Sequence, residues 1–78
     1  MVIKLSELNV GESATVTTVT ADENMHRRLL DIGLVDKTRV KCVLKAPSGD
    51  PLAFLIRGAV IAIRKKDCNG IEVRVSEG

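Results

Sequence analysis

The sequence predicts a mainly β domain in which about five short strands accompany one inserted α-helix. Several short segments alternate between aliphatic or β-branched residues and polar ones, which is the pattern of half-buried strands. One other segment carries an apolar stripe at helical spacing. The chain has 78 residues, of which 45% are hydrophobic. This is enough for one packed domain, and we expect residues 1–78 to form it.

The N-terminal part is predicted to contain a short turn and the first long strand. Residues 6–8 suggest one helical turn, which is closed by Asn9, Val10 and Gly11. Residues 13–19 alternate with a period of two, as in a strand. The side chains expected to share one face of this strand are Ala14, Val16 and Thr18.

The helix is predicted to follow this strand and to run to about Ile32. Thr20 and Glu23 have the spacing of a capping box, and Asp22 is an alternative N-cap. The residues on one apolar stripe, at about 100° per residue, are Met25, Leu29 and Ile32. Gly33 can adopt the left-handed conformation that ends a helix, and Leu34 can then fold back on the last turn.

The opposite side of the helix carries the candidate partner-binding residues, Arg27, Leu30 and Asp31. Leu30 falls about 140° from the first residue of the apolar stripe, so it lies outside the predicted core face. A solvent-facing Leu beside an Arg suits a protein contact. Two alternatives stay open, namely that Leu30 packs at the rim of the core and that the charged residues form an ordinary solvated helix face.

Four more strands are predicted in the second half of the chain. Their expected bounds are 39–45, 52–57, 60–64 and 71–75. In the first of them, the side chains expected to face the core are Val40, Cys42 and Leu44. Gly58 and Ala59 are expected to form a tight hairpin turn, and residues 65–70 a turn with some helical character. Because a sheet of five short strands loses its exposed edges by closing on itself, we expect a small SH3-like barrel.

The charge balance and the ends of the chain limit the class of protein. There are 12 basic and 10 acidic residues, and Phe54 is the one aromatic residue. Because nucleic-acid binders concentrate positive charge and use aromatic platforms, no nucleic-acid partner is expected. The N-terminus becomes charged too early for a signal peptide, and no apolar run reaches the ~20 residues of a membrane span. We therefore expect a cytoplasmic protein in which Cys42 and Cys68 are reduced.

The sequence offers little for catalysis or for metal binding. The six glycines form no phosphate-binding motif, and neither Cys42 nor Cys68 has a second cysteine at metal-ligand spacing. His26 is expected to be a partly buried packing residue near the edge of the apolar stripe. Asp22 and His26 are four residues apart and can chelate an ion weakly, but an ordinary side-chain contact is the alternative. We expect no catalytic residues, no cofactor and no metal site, and so no enzyme.

Three segments in order resemble the FeoA family of small accessory proteins of bacterial ferrous iron transport. They are Arg28 to Leu34 at the end of the helix, Ala46 to Leu52 between two strands, and Gly58 to Lys66 around the last hairpin strand. The resemblance implies an SH3-like fold, a cytoplasmic location and binding to the membrane transporter FeoB. An SH3-like nucleic-acid-binding module and a metal-responsive regulatory module remain alternatives, and a weak homodimer is left open. Where the family often has Pro-Gly before a Thr, this chain has Val35-Asp36-Lys37.

Overall fold

The computed structural model of the chain describes residues 1–20, 23–35 and 37–76, and confirms a mainly β fold. The side chains of Glu23 and Met25 lie outside this description. The strands are β1 (Val2–Lys4), β2 (Ser13–Val19), β3 (Arg39–Lys45), β4 (Leu52–Ile56), β5 (Ala59–Ile63) and β6 (Ile71–Val75). The helices are α1 (Glu23–Asp31), α2 (Lys65–Cys68) and a 3₁₀ turn (Leu5–Glu7). None of these helices is long and apolar enough to cross a membrane.

The strands form one antiparallel sheet in the order β1-β6-β2-β3-β4-β5. The prediction of a closed barrel is therefore wrong, because β1 and β5 are the two edges of the sheet and do not pair with each other. The prediction of five strands also missed β1. This strand has three residues and is defined by its pairing, with Ile3 opposite Val73. A segment so short gives no alternation that the sequence could reveal.

The core is filled by aliphatic side chains around Phe54. Its fully buried large side chains include Leu5, Leu8, Leu34, Leu52, Phe54, Ile56 and Ile71. Helix α1 adds Leu29, and β6 adds Ile71 and Val73 to the same cluster. Alternate residues are buried in both β4 and β6, so each of these strands turns one face to the core.

Two bulges break the in–out alternation in β2 and β3. The pairing register shifts at Thr17 in β2 and at Val43 in β3, where one extra residue is inserted. One extra residue turns all later side chains of a strand to the other face. Thr18 is therefore exposed and does not share the face of Ala14 and Val16, as was predicted, and Leu44 is exposed although it was predicted to face the core. Val19 packs against the core instead of Thr18.

The β4–β5 hairpin turns one residue earlier than predicted. Arg57 and Gly58 are its two central residues, and both have positive φ angles, 51° and 85°. This is the conformation that a two-residue hairpin of type I′ requires. The predicted helical turn before the last strand is confirmed as α2.

Candidate partner-binding surface

Helix α1 is attached to the core through a narrow apolar side. Leu29 is only 3% exposed, and Ile32, just after the helix, is half-buried against the core. These two residues confirm their part of the predicted stripe. Met25, its third member, lies outside the residues whose side chains are described. So do the side chain of Glu23, which the predicted capping box with Thr20 requires, and the alternative N-cap, Asp22.

The end of α1 is fixed by a Schellman motif. Gly33 has a φ of 84°, its N–H donates to the carbonyl of Leu30 at 2.9 Å, and the N–H of Leu34 donates to the carbonyl of Leu29 at 2.8 Å. These two bonds satisfy carbonyls that the end of a helix leaves free. Leu34 is 1% exposed and folds back into the core, as the sequence predicted.

Thr38 ties the end of α1 to the start of β3. Its hydroxyl donates to the carbonyl of Gly33 at 3.1 Å and accepts the N–H of Val35 at 3.2 Å. Thr38 is only 6% exposed and is the buried polar residue of the described chain. Lys37, just before Thr38, has a φ of 70°. This is the left-handed backbone conformation, to which a glycine is better suited than a residue with a side chain. The role of Thr38 in positioning the helix was not predicted from the sequence.

The outward side of α1 brings the three predicted partner-binding residues together. We call Arg27, Leu30 and Asp31 the α1 outer surface. All three are exposed, and Leu30 exposes 48% of its side chain. Residues three and four positions apart are neighbours on a helix, so Arg27 lies next to both Leu30 and Asp31. The structure thus combines one apolar side chain with two opposite charges on a helix whose end is fixed.

The end of α1 also borders the β4–β5 hairpin. A side-chain carbon placed on Gly33 would lie 3.1 Å from Cδ of Arg57, so the arginine side chain passes directly over the end of the helix. The hairpin turn and α1 are therefore adjacent on the surface.

The structure corrects the prediction for His26 and shows how the possible metal ligands of the described residues are placed. His26 is exposed, so it is not a packing residue; among the side chains of α1 that the structure describes, Leu29 is the buried one. Asp22, its proposed partner, lies outside the described residues. Within the described part of the chain, no three His, Cys, Asp or Glu side chains are grouped closely enough to hold a metal ion.

Both cysteines are free and buried in the core. Burial raises the pKa of both thiols, and for Cys68 the nearby carboxylates of Asp67 and Asp50 also contribute and raise the pKa to about 12. The Cys68 thiol donates a weak hydrogen bond to the carbonyl of Ile63. Because the thiolate is the nucleophile and the metal ligand, these protonated thiols are suited to packing at neutral pH.

Comparison with known proteins identifies relatives of this chain. The family model of the FeoA domain matches residues 3–75. A curated fusion of Fe(2+) transport protein A with the Fe(2+) transporter FeoB, from Porphyromonas gingivalis, is 30% identical over 73 residues. The match covers 94% of this chain but 9% of that protein, so the chain spans a small part of the relative's length.

Two solved FeoA structures share the fold. The FeoA protein of Chlorobium tepidum is 39% identical and superposes with a TM-score of 0.91 over 97% of this chain and 72% of its own. FeoA of Stenotrophomonas maltophilia, solved in complex with zinc and described as a prokaryotic SH3 domain protein, is 32% identical with a TM-score of 0.77. That match covers 95% of this chain and 89% of the relative. The predicted SH3-like fold is confirmed, with a sheet that stays open, and the chain belongs to the FeoA domain family.

Proposed function

We propose that this domain is a cytoplasmic accessory protein of bacterial ferrous iron uptake that acts by binding the cytoplasmic part of an FeoB-type membrane transporter. The observation that carries this proposal is the P. gingivalis relative, which joins an FeoA-like segment and FeoB in one polypeptide. Two domains that are fused in one organism often associate as separate chains in another. The S. maltophilia relative, moreover, has been suggested to act as a ferrous iron transport activating factor. In this proposal the domain works by binding and performs no reaction.

The α1 outer surface supports a role in this contact. Leu30 exposes 48% of its side chain between Arg27 and Asp31, so it offers an apolar anchor with charged neighbours. Interfaces commonly combine such an anchor with a polar surrounding. The Schellman motif and Thr38 hold this end of α1 in one position, so a partner does not have to order it on binding.

A substitution at Leu30 tests the proposal. We expect Leu30→Asp to leave the domain folded and to weaken its binding to the purified cytoplasmic part of FeoB by about tenfold, because a charge would replace the apolar anchor. Binding is measured by isothermal titration calorimetry.

The matched control is Leu44→Asp, since Leu44 is 60% exposed on β3 and lies outside the α1 outer surface. This variant should bind as the unmodified protein does. Equal affinity of the Leu30→Asp variant and the unmodified protein would exclude Leu30 from the interface. Absence of any binding by the unmodified protein would contradict the proposed function itself.

A further inference from the structure

Strand β5 is an edge strand without the usual protection. Its five residues, Ala59–Ile63, contain no charge and no proline, and no bulge interrupts their pairing. Within the part of the chain that the structure describes, they pair on one side only, with β4. Natural proteins normally protect such an edge with charged side chains, proline, a bulge or a covering element, because it offers free backbone groups to another chain. Val60 is 65% exposed, so the outer face of this edge is also apolar.

The register of the hairpin shows which backbone groups are free. In a two-residue hairpin the pair next to the turn, here Ile56 and Ala59, is hydrogen-bonded, and the bonded pairs then alternate along the strands. Ile61 therefore bonds to β4 through its pair with Phe54. Val60 and Ala62 consequently direct their N–H and C=O groups away from β4, towards the open edge.

A groove lies between this edge and α1. It has a volume of about 140 Å³, which is below the roughly 300 Å³ of a small-molecule site and suits single side chains of a peptide. The larger apolar residues that line it are Leu29, Ile32, Ile61 and Ile63. Among the described residues, two arginines, Arg28 and Arg64, and one carboxylate, Asp67, also line it. We call this feature the β5-edge groove.

We propose that the β5-edge groove binds an extended segment of a partner protein in which a short apolar stretch is flanked by acidic residues. The segment adds a strand to the sheet and pairs with the free backbone groups of Val60 and Ala62. Its residue opposite Ile61 faces the groove, because side chains opposite each other on neighbouring strands share a face. Its carboxylates contact Arg28 and Arg64, for which charge-assisted hydrogen bonds are favourable.

The distribution of charge favours such a partner over a second copy of this chain. Two copies can pair through antiparallel β5 strands that use the free backbone groups of both Val60 and Ala62. In that pairing, Ile61 of one copy lies opposite Ile61 of the other. This pairing brings Arg57 of one copy towards Lys65 of the other, at both ends of the pair, and like charges placed opposite each other are destabilising. An acidic segment meets the same basic ends with opposite charge.

The test uses a synthetic peptide, so it does not depend on FeoB and its outcome is separate from that of the proposed function. The probe is the blocked peptide Glu-Asp-Thr-Val-Leu-Val-Thr-Asp-Glu, and the control peptide replaces its four acidic residues with lysine. Binding is followed by amide chemical shifts in NMR titrations. We expect the acidic peptide to bind and to shift the amides of Val60, Ala62 and Ile32, and the basic peptide to bind at least about tenfold more weakly.

Three variants locate the contact. Ala62→Pro removes an outward N–H at an edge position where proline is tolerated, and should weaken binding by about tenfold. Arg28→Ala and Arg64→Ala should each weaken it by about threefold and keep the proposal testable if the proline variant does not fold. Arg39→Ala, an exposed arginine on β3, is the matched control and should have no effect.

Three results would overturn the inference. They are equal binding of the two peptides, shifts confined to residues outside β5 and α1, and self-association of the free protein that the Ala62→Pro variant abolishes. The last result, measured by sedimentation, would identify a second copy as the occupant of the edge.

Discussion

Leu29 and Leu30 are identical neighbours on α1 with opposite surroundings. Leu29 is 3% exposed and belongs to the core, whereas Leu30 is 48% exposed and belongs to the α1 outer surface. One residue along a helix corresponds to a rotation of about 100°, which suffices to move a side chain from the core to solvent. A change on the inner side of α1 therefore acts on folding, whereas its outer side is available for the proposed contact.

The strongest test of this comparison is a charge at Leu29. We expect Leu29→Asp to unfold the domain, because an unpaired carboxylate in the core costs several kcal/mol. The whole stability of a chain of this size is only about 4–12 kcal/mol. Leu30→Asp, its neighbour control, should change the free energy of unfolding by no more than about 0.5 kcal/mol. Circular dichroism during thermal unfolding measures both, and a Leu29→Asp variant as stable as the unmodified protein would mean that the helix is rotated from its described position.

A smaller effect on stability is expected at Thr38, which ties the end of α1 to the start of β3. Thr38→Val keeps the shape of the side chain but removes the hydroxyl that contacts Gly33 and Val35. Because two partly buried backbone groups lose a partner, the free energy of unfolding should fall by about 1–3 kcal/mol. Urea unfolding measures this change, with Thr18→Val as the control at an exposed threonine. Similar changes in the two variants would argue against a role for Thr38 in fixing α1.

The ionisation of the buried Cys68 thiol has no effect on stability at neutral pH, and its effect appears only at high pH. The pKa of Cys68 is about 12 in the folded protein, against 9.0 for an ordinary thiol. Below pH 9 the thiol is protonated in both states, so its contribution to stability is constant. Above pH 9 only the unfolded chain loses the proton, so stability should fall by about 1 kcal/mol per pH unit until the pH reaches the folded pKa.

The comparison of Cys68→Ala with the unmodified protein isolates this contribution. The variant should be less stable at pH 8, because a buried group is lost, but its stability should decline less steeply between pH 9 and pH 11. Urea unfolding at each pH measures both curves under reducing conditions. Parallel curves would show that the thiol ionises equally well in the folded state.

The sequence predicted those parts of the fold that depend on neighbouring residues. The end of α1 is an example, because Gly33 and Leu34 form a motif with residues of the same helix. The exposure of Leu30 also followed from helical spacing alone. The grouping of Arg27, Leu30 and Asp31 on one side was therefore predictable, although their binding role remains a proposal.

The features that the sequence did not reveal depend on contacts between distant segments. Thr38 acts by reaching the end of a helix from the start of a strand, and its only local signal is its place shortly after Gly33. The exposure of Leu44 depends on the bulge at Val43, which exists only in the pairing of β3 with β4. The open edge of β5 was missed because closure was inferred from strand number and length, which do not determine whether β1 and β5 meet.

The two bulges have a consequence for how the length of this domain can vary. Thr17 and Val43 each occupy a position that has no counterpart on the adjacent strand. A one-residue deletion at either position would restore regular alternation and turn the rest of that strand inside out. In β3 this would send Leu44 into the interior and reverse the side that Lys45 occupies. Homologous chains should therefore keep the spacing within these strands and accommodate insertions in the loops between them.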